Sequence, residues 1–577
     1  MKNLTLENAK ELQPYIEMAG YHEYNSNIVT MLMWNNAYHI MFDTFPDYAL
    51  VLWKNGNEYM WMMPLCKKEH RNIAIEAMIA YSEKLGVPFY MTSLIEEFKE
   101  WCVDTYGDKY IYKDLISAQD YVYDVAQQRD LSGKKMQKRR NHYNAFLKEY
   151  EGRFMFKPLG PEDFEAVYEL MDIWKQEHDE YDSVERENIG MRFLLEHFEE
   201  LSLIGGCIYI DGKLEAFNIA SHLSDDTLQM HVEKANKQIR GLYVAVLKHF
   251  LQHIPDHYTL INREDDMGLA YLRKAKTDMK PCFKIRKYGM QIRDIKIHKA
   301  QEADKEALSH LWMQSFRDET VSSTAFFFDH MWKSDETYVL TNGNDLVTML
   351  QRRRVEISLH NKVYPVSFIV GVATNEMYQH QGFMRQLLQY ALEDCKEEAF
   401  TILQAYDWEL YKPYGFVESH YRKKTIVDVD RYTHSAQYYT VNNREAEELL
   451  HLYEAYITNK TGYRVRDISY YKDYYIPYTY QEGGMIKVLY NECKQPLGYA
   501  IVYESDEQIV VTEFIAYSQK GIDAMIASLK KPDKKMIIYH ACDLTINGES
   551  EVQPCMMINT YGKEIEIDES MFINEVL

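Results

Sequence analysis

The chain has 577 residues, too many for one compact hydrophobic core, so it folds as two or more domains. A hydrophobic share of 46% and a charged share of 27%, with no apolar run near the roughly 20 residues of a transmembrane helix, indicate a protein that folds in water. The net charge of −23 excludes general coating of nucleic acid by a basic surface, so any anion-binding site must be local.

The cysteines and the N-terminal sequence indicate the compartment. The 8 cysteines lie far apart and include no Cys-x-x-Cys pair, so neither a disulfide framework nor a zinc site is indicated. The opening sequence MKNLTLENAKELQPYI is polar and lacks the apolar core of a signal peptide. We therefore expect a cytoplasmic protein with reduced cysteines, no metal and no membrane span.

A strand pair, a turn and an amphipathic helix recur along the chain. The first copy is a hairpin in YALVLWKNGNEYMWMMPL that turns at Asn55, with a helix at about 74–85. The second has a hairpin around Gly212 and a helix at about 241–253. The third has the strand VYPVSFIVGVAT followed by apolar residues at helical spacing, and the fourth has PLGYAIVYE, IVVTEFIAY and a helix at about 522–529. The pattern predicts an α/β (α+β) protein of related modules.

Module boundaries are expected where this pattern restarts, because the chain has no low-complexity linkers. A strand followed by a helix restarts near Arg153, near Arg293 and at about 432–436. These restarts predict modules at 1–150, 151–292, 293–432 and 433–577.

The third module contains a glycine turn, YQHQGFMRQLL, between a strand and a helix. The N–H groups and the partial positive charge of a helix N-terminus can bind a pyrophosphate there without basic side chains. Downstream, YKPYGF places the phenol of Tyr411 four residues before Gly415. A lone Gln-x-x-Gly is usually only a turn, so the hypothesis of a coenzyme site depends on the combination.

These residues resemble the acyl-coenzyme A signature of the GNAT superfamily of N-acetyltransferases. Gln379-x-x-Gly382-x-Met384 fits the pattern of Arg or Gln, two residues, Gly, one residue, then Gly or Ala, except that Met384 replaces the small residue. GVATNEMYQHQGFM and LQAYDWELYKPYGF resemble the enhanced-intracellular-survival-like branch, over about 295–557. The resemblance implies GNAT-like modules, each a mixed, largely antiparallel sheet with flanking helices.

The resemblance implies acetyl-CoA as co-substrate, with the pantetheine arm along the strand backbone of Val372, Ala373 and Thr374. It implies a pyrophosphate site at the turn and the first helical residues, Gln379, His380, Gln381, Gly382, Phe383 and Met384.

In the same family pattern Tyr411 protonates the departing thiolate, after direct attack of a primary amine on the thioester. The alternative role for Tyr411 is that of a packed core residue. Asp407 and Glu409 are candidate amine-binding acids, and the alternative for them is a solvated turn. In relatives with a sterol-carrier-like domain, the carboxylate of the last residue can act as the catalytic base. The resemblance does not assign this role to Leu577, the last residue of this chain.

The N-terminal half lacks a convincing Gln/Arg-x-x-Gly-x-Gly turn, although QIRGLYVAVLKHF occupies the equivalent position. Two basic segments stand out, LRKAKTDMKPCFKIRKYG and one that includes Lys134, Lys135, Lys138, Arg139 and Arg140. With NREDDMGLAYLRKAKTDMKP, this half resembles the phosphatidylglycerol lysyltransferase C-terminal-like family, tandem modules related to Fem-type aminoacyl transferases. That resemblance implies aminoacyl-tRNA as donor, with the basic segments on its phosphates; solvated helix faces are the alternative.

The leading hypothesis is an acetyl-CoA-dependent N-acetyltransferase, acting on a small-molecule or lysine amine and fused to an aminoacyl-transferase-like unit. The alternatives are a binding protein that retains the fold without turnover and an aminoacyl-tRNA-dependent transferase. The sequence leaves open the acceptor and a homo-oligomeric state, which enzymes of the resembled branch reach through their C-terminal modules.

Overall fold

The computed structural model describes residues 1–176, 182–567, 571 and 573. The chain divides into two compact units, Met1–Arg293 and Asp294–Leu577, so the boundary predicted at 292/293 lies beside this division. Leu577 lies outside the described residues. None of the helices in the described ranges is both long enough and apolar enough to cross a membrane. The predicted α/β class, with mixed sheets and flanking helices, is confirmed.

The strands of the first unit are β1 (Lys2–Asn3), β2 (Met41–Thr44), β3 (Tyr48–Asn55), β4 (Glu58–Trp61), β5 (Leu65–Cys66), β6 (Tyr90–Ile95), β7 (Tyr110–Asp114), β8 (Asp120–Asp124), β9 (Phe154–Pro158), β10 (Ile204–Ile210), β11 (Lys213–Ser224), β12 (Thr227–Ala235), β13 (Leu260–Asn262), β14 (Phe283–Ile285) and β15 (Lys287–Ile292). Its helices are α1 (Leu6–Ala9), α2 (Gln13–Ala19), α3 (Ile28–Tyr38), α4 (Arg71–Leu85), α5 (Glu96–Tyr106), α6 (Val125–Asp130), α7 (Gln137–Tyr150), α8 (Phe164–Gln176), α9 (Asp182–Glu196), α10 (Leu242–Phe250) and α11 (Ala270–Asp278).

Two sheets form the first unit, and they exchange strands. The first has the order β1-β2-β3-β4-β6-β15-β7 with β5 beside β3, and the second has the order β14-β8-β13-β12-β11-β10-β9. Thus β15, from the end of the unit, lies between β6 and β7, whereas β8 pairs with β13 and β14. The two predicted modules therefore interlock and are not divided at 150/151. The sequence could not predict this interlocking, because local periodicity predicts a strand but not the sheet that it joins.

The strands of the second unit are β16 (Ile295–Lys299), β17 (Thr337–Asn342), β18 (Asp345–Leu359), β19 (Lys362–Thr374), β20 (Thr401–Leu403), β21 (Val417–Val427), β22 (Tyr438–Asn442), β23 (Tyr463–Arg464), β24 (Met485–Asn491), β25 (Pro496–Glu504), β26 (Gln508–Ala516), β27 (Lys535–Ala541) and β28 (Gly548–Asn559). Its helices are α12 (Lys305–Ser315), α13 (Val321–His330), α14 (Phe383–Cys395), α15 (Ala446–Ile457), α16 (Ile476–Gln481) and α17 (Gln519–Leu529).

A single 13-stranded sheet runs through the second unit, in the order β16-β17-β18-β19-β20-β28-β21-β27-β26-β25-β24-β22, with β23 beside β18. Here too the last strand crosses over, because β28 lies between β20 and β21, and β21 pairs with β27. The sheet therefore continues across the boundary predicted at 432/433.

The same β–α–β connection occurs four times in the described residues. In each, a helix joins two strands that pair in parallel: β4–α4–β6, β12–α10–β13, β19–α14–β20 and β26–α17–β27. Each helix buries an apolar face; in α14 this face includes Leu387, Leu388 and Ala391. These repeats are the structural counterpart of the pattern that recurs in the sequence.

A buried cluster of opposite charges lies where β8 and β15 cross in the first unit. The Nζ atom of Lys287, on β15, is 2.5 Å from Asp120 Oδ1, on β8, and 3.0 Å from Glu23 Oε2, and all three side chains are fully buried. Burial raises the pKa of Asp120, and Lys287 partly opposes this shift. The cluster therefore links the strands that the two sheets exchange.

We predict that Lys287→Met lowers the free energy of unfolding by about 3–5 kcal/mol, because it leaves two buried carboxylates without a cation. The measurement is urea unfolding of the full chain. Lys213→Met is the matched control, since it removes an exposed ammonium 3.1 Å from Glu215, and surface pairs contribute about 0–1 kcal/mol. Equal effects of the two substitutions would contradict a structural role for the cluster.

Candidate active site

The C-terminal end of β19 has an open edge. β20 pairs with β19 only at Ser367, Phe368 and Ile369, so residues 370–374 extend beyond the last paired residue. On the other side β19 stays paired with β18 as far as Thr374. The three predicted strand residues, Val372, Ala373 and Thr374, therefore lie on a strand end whose second edge has no strand partner in the described residues.

A β-bulge shapes this strand end. The register between β18 and β19 shifts between Met349 and Gln351, which leaves Gly371 and Val372 opposite Leu350. Gly371 has a φ of 60°, and a Cβ atom there would lie 2.3 Å from the Trp312 ring. Only glycine fits, because both the backbone conformation and the space exclude a side chain.

The predicted turn connects this strand end to α14. The backbone is left-handed at His380 and at Gly382, where φ is 79° and the space around a Cβ atom is open. Gly382 is the N-cap of α14 and has no side chain to cap the first N–H groups. Since the first N–H groups of an α-helix have no partner within the helix, they are available to an anion.

Side chains hold the turn in place. Tyr378 is buried and its hydroxyl donates to Asp345 Oδ2 at 2.6 Å, while Gln379 Nε2 donates to the Thr374 carbonyl at 3.3 Å. Phe383 is buried and Met384 is half-buried, so the residue that departs from the family signature lies partly against the protein. The structure thus brings residues 372–374 and 379–384 to one place.

Tyr411 lies in the loop that follows β20. Because β19 and β20 are parallel, both present their carboxyl ends at the same edge of the sheet. The Tyr411 ring is half-buried and packs edge-on against Phe416, with ring centroids 6.2 Å apart. Its hydroxyl has no hydrogen-bond partner in the described part of the chain. Burial, and to a lesser degree Asp407 and Tyr414, raises the pKa of Tyr411 to about 12.

The acidic residues before Tyr411 belong to the turn itself. Asp407 and Glu409 are exposed, Asp407 Oδ1 accepts from the Glu409 N–H at 3.1 Å, and Glu409 pairs with Lys412 at 2.6 Å. This geometry favours the interpretation of a solvated turn over that of amine-binding acids.

Two family models match the chain. Residues 18–291 match the C-terminal region of phosphatidylglycerol lysyltransferase, and residues 296–418 match an acetyltransferase (GNAT) domain. The matches thus confirm both resemblances, each over its own part of the chain. All of the candidate site residues, 372–374, 379–384 and 411, lie within the GNAT domain.

Solved structures and one curated protein are also similar to parts of the chain. A conserved protein of unknown function from Bacteroides thetaiotaomicron VPI-5482 is 25% identical over 51% of this chain and 99% of its own, with a TM-score of 0.49. L-PGS from Bacillus licheniformis is 13% identical over 49% of this chain and 92% of its own, with a TM-score of 0.37. An uncharacterized protein of Mycoplasmoides gallisepticum is 25% identical over 193 residues, 33% of this chain. The match spans 61% of that relative, less than two thirds of its length.

Most cations of the second basic segment in the lysyltransferase-like unit are engaged within the fold. Lys287 lies in the buried cluster, Arg273 pairs with Asp266 at 2.9 Å, and Lys284 donates to the Tyr121 hydroxyl at 2.9 Å. In the first segment, Arg140 donates to the carbonyls of Leu131 and Gly133, and Lys138 pairs with Asp278 at 2.7 Å. Lys134 and Lys135 are exposed.

Sequence reasoning missed a small cavity beside the β19 bulge of the GNAT domain. It has a volume of about 20 Å³ and is lined by Trp312, Glu319, Ser323, Phe327, Met331, Val370, Tyr474 and Tyr478. Within it, Ser323 donates to the Glu319 carboxylate. No sequence motif marks these residues, since they come from α12, from α13 and the residues that flank it, from β19, and from α16 and the turn before it. Among the described residues, no group of three or more His, Cys, Asp or Glu side chains could hold a metal ion.

Proposed function

We propose that the GNAT domain transfers the acetyl group of acetyl-CoA to a primary amine of a small molecule or of a lysine side chain. The observation that supports this most directly is the open edge of β19 beside the uncapped N-terminus of α14. An extended amide-containing chain can pair with a strand edge, and a pyrophosphate can bind the N–H groups of a helix N-terminus. Acetyl-CoA offers both groups, together with an activated thioester.

In this proposal, residues 379–384 bind the pyrophosphate and residues 372–374 pair with the pantetheine amides. No basic side chain is needed, because the helix N-terminus supplies both donors and partial positive charge. The left-handed backbone at Gly382 leaves open space in front of these donors. Acetyl-CoA use also accords with the cytoplasmic location that we expect from the sequence.

Tyr411 is the proposed general acid for the departing thiolate. With its pKa raised to about 12, the phenol stays protonated at neutral pH and can donate. A thiol in water has a pKa of about 8.5, so proton transfer from Tyr411 would be unfavourable if the thiolate remained solvated. A thiolate that forms in the same buried setting is also desolvated, which raises its pKa and reduces the mismatch.

The proposed acceptor side is the region around Glu319. Burial and the Glu319 carboxylate raise the pKa of Glu482, so two carboxyl groups lie close enough to interact. Such a pair attracts a protonated amine before it loses its proton and attacks. For the lysyltransferase-like unit, aminoacyl transfer from aminoacyl-tRNA remains our second proposal, supported by the family match at 18–291.

We predict that Gly382→Glu weakens acetyl-CoA binding at least about tenfold, because it places a carboxylate beside the pyrophosphate donors. Calorimetric titration measures the affinity. Gly562→Glu is the control, since Gly562 has a φ of 75° and equally open surroundings. Gly382→Ala shares the backbone strain without the charge and should bind more tightly than Gly382→Glu. Unchanged affinity in Gly382→Glu would exclude this placement of the coenzyme.

We predict that Tyr411→Phe lowers turnover about 10²-fold and leaves acetyl-CoA affinity nearly unchanged, because only the proton donor is lost. Thiol release with a panel of amines measures turnover. Wild-type activity should not decline through ionisation of Tyr411 below about pH 12. Tyr406→Phe, on the same loop and 84% exposed, is the control. If Tyr411 only packs, its substitution costs about 1 kcal/mol of stability with turnover preserved.

We predict that Glu319→Gln raises the KM for the amine at least about tenfold without changing acetyl-CoA affinity, because it removes one carboxylate of the proposed acceptor side. The same thiol-release assay, run over a range of amine concentrations, measures this effect. Asp407→Asn is the control, since Asp407 lies in the solvated turn. An unchanged KM would place the acceptor elsewhere.

A further inference from the structure

A serine, a histidine and a glutamate are in contact with one another in the second sheet of the lysyltransferase-like unit. The Ser221 hydroxyl, on β11, lies 2.7 Å from Nε2 of His231, on the neighbouring strand β12. Nδ1 of the same imidazole lies 3.4 Å from Oε1 of Glu264, in the turn that follows β13. The His231 side chain is fully buried and that of Glu264 is 18% exposed. This order of groups is that of a nucleophile, its base and a residue that orients the base.

The surrounding hydrogen bonds indicate which nitrogen of His231 holds the proton. The amide of Gln229 has two protons, which it donates to Thr30 Oγ1 at 2.7 Å and to Glu264 Oε1 at 2.8 Å. Its longer contact of 3.3 Å with Nδ1 of His231 therefore has no proton left. A proton on Nδ1 would face the Glu264 carboxylate and satisfy both groups. In this tautomer Nε2 is an acceptor and can take the proton of the Ser221 hydroxyl.

Two irregularities of the backbone bring these side chains together. The register between β11 and β12 shifts after Ile219, so that His231 is an extra residue in its strand. Bulges of this kind redirect a side chain and are frequent beside active sites. Glu264 has a φ of 58°, a left-handed conformation that costs energy in a residue with a Cβ atom. Its N–H donates to Asn262 Oδ1 at 2.8 Å, which holds the turn in this conformation. The fold therefore maintains a strained residue where the carboxylate contacts the imidazole.

Ser221 lines a large pocket, which we call the Ser221 pocket. It has a volume of about 1330 Å³ and is lined by residues of α1, α2, α3, β11 and β14, among others. Its apolar residues include Ile16, Leu32 and Phe283. The Asp, Glu, Lys and Arg residues of the lining are Glu7, Glu17, Glu200, Asp225 and Asp226, against Lys10. A pocket of this size admits a small molecule, and its excess of carboxylates attracts a positive charge.

We propose that the Ser221 pocket is an esterase site, with Ser221 as nucleophile, His231 as general base and Glu264 as a positioning residue. The substrate class is a small carboxylic ester that has an apolar part and a positive charge. Asn27 also lines the pocket, and its Nδ2 atom lies 3.1 Å from Ser221 Oγ. It can therefore donate to the oxygen that becomes negatively charged during the attack. The proposal does not depend on either proposed acyl transfer, because its substrate is a free ester and its acceptor is water.

The reaction has two balanced halves. In the first, Ser221 Oγ bonds to the acyl carbon, the ester bond breaks, and the hydroxyl proton passes through His231 Nε2 to the departing alcohol. In the second, a water molecule attacks the acyl carbon, His231 takes its proton, and the bond to Oγ breaks. The carboxylic acid leaves, and the proton returns to Ser221. No oxidant, reductant or metal ion takes part.

The test uses the full chain and a fluorophosphonate, which reacts covalently with activated serines. Mass spectrometry of the digested protein locates the adduct, which we expect at Ser221. The p-nitrophenyl ester of trimethylammoniobutyrate serves as substrate, and its hydrolysis should fall at least about 10²-fold in Ser221→Ala and in His231→Gln. Ser224→Ala is the matched control, since Ser224 lies on the same strand and in the same lining but donates to Asp226 Oδ1 at 3.1 Å.

Two further measurements separate the roles. Glu264→Gln should lower kcat at least about tenfold with KM unchanged, because it orients the base and does not touch the ester. The uncharged tert-butyl analogue of the ester should have a higher KM than the cationic ester, and the opposite order would overturn the substrate class. The esterase site itself is overturned if the wild-type protein forms no adduct at Ser221, or if Ser224→Ala loses as much activity as Ser221→Ala. The labelling of the wild-type protein needs no substitution, so it decides even if a variant fails to fold.

Discussion

Exchange of strands between neighbouring modules is the constraint on which the rest of the structure depends. In each unit the last strand returns to pair within the preceding module, as β15 does between β6 and β7 and β28 does between β20 and β21. Such long-range pairings cost chain entropy and restrict how each module can fold alone. A module is therefore complete only when its neighbour is present.

Each unit also contains a fully buried ion pair. Lys287 and Asp120 lie on the two exchanged strands of the first unit. In the second unit, Arg466 pairs with Glu513 of β26 at 2.9 Å, and both side chains are fully buried. Arg466 follows β23, which pairs with β18, so this contact joins strands from opposite ends of the long sheet. Since a buried pair is a weak source of net stability but costly to break, these pairs favour one register over alternatives.

The helices of the four β–α–β connections differ in how they begin. In α17, Ser518 caps the helix with its side chain, which accepts from the Gly521 N–H at 3.1 Å. In α10 and α14 the N-cap is a glycine in the left-handed region, so no side chain competes with a ligand. One residue at the N-cap thus decides whether the positive end of a helix is satisfied within the fold or is available to a phosphate.

The sequence predicted the repeated strand and helix units and the turn at residues 379–384, because these follow from local periodicity and from a glycine that only certain turns require. The two family resemblances were confirmed, whereas the roles of Tyr411 and of the turn stay predictions. The exchange of β8 and β15 could not be predicted, because a short apolar strand carries no information about its distant partner. Likewise, composition could not predict that most cations of the second basic segment are engaged within the fold, because their partners are set by packing.

The net charge of −23 sets the final physical constraint on the proposed coenzyme site. Anionic ligands are repelled by the protein as a whole, but at physiological ionic strength charges separated by more than about 8 Å are largely screened. Donors in contact with the ligand act below that distance, so the uncapped N-terminus of α14 can bind phosphate within an acidic protein.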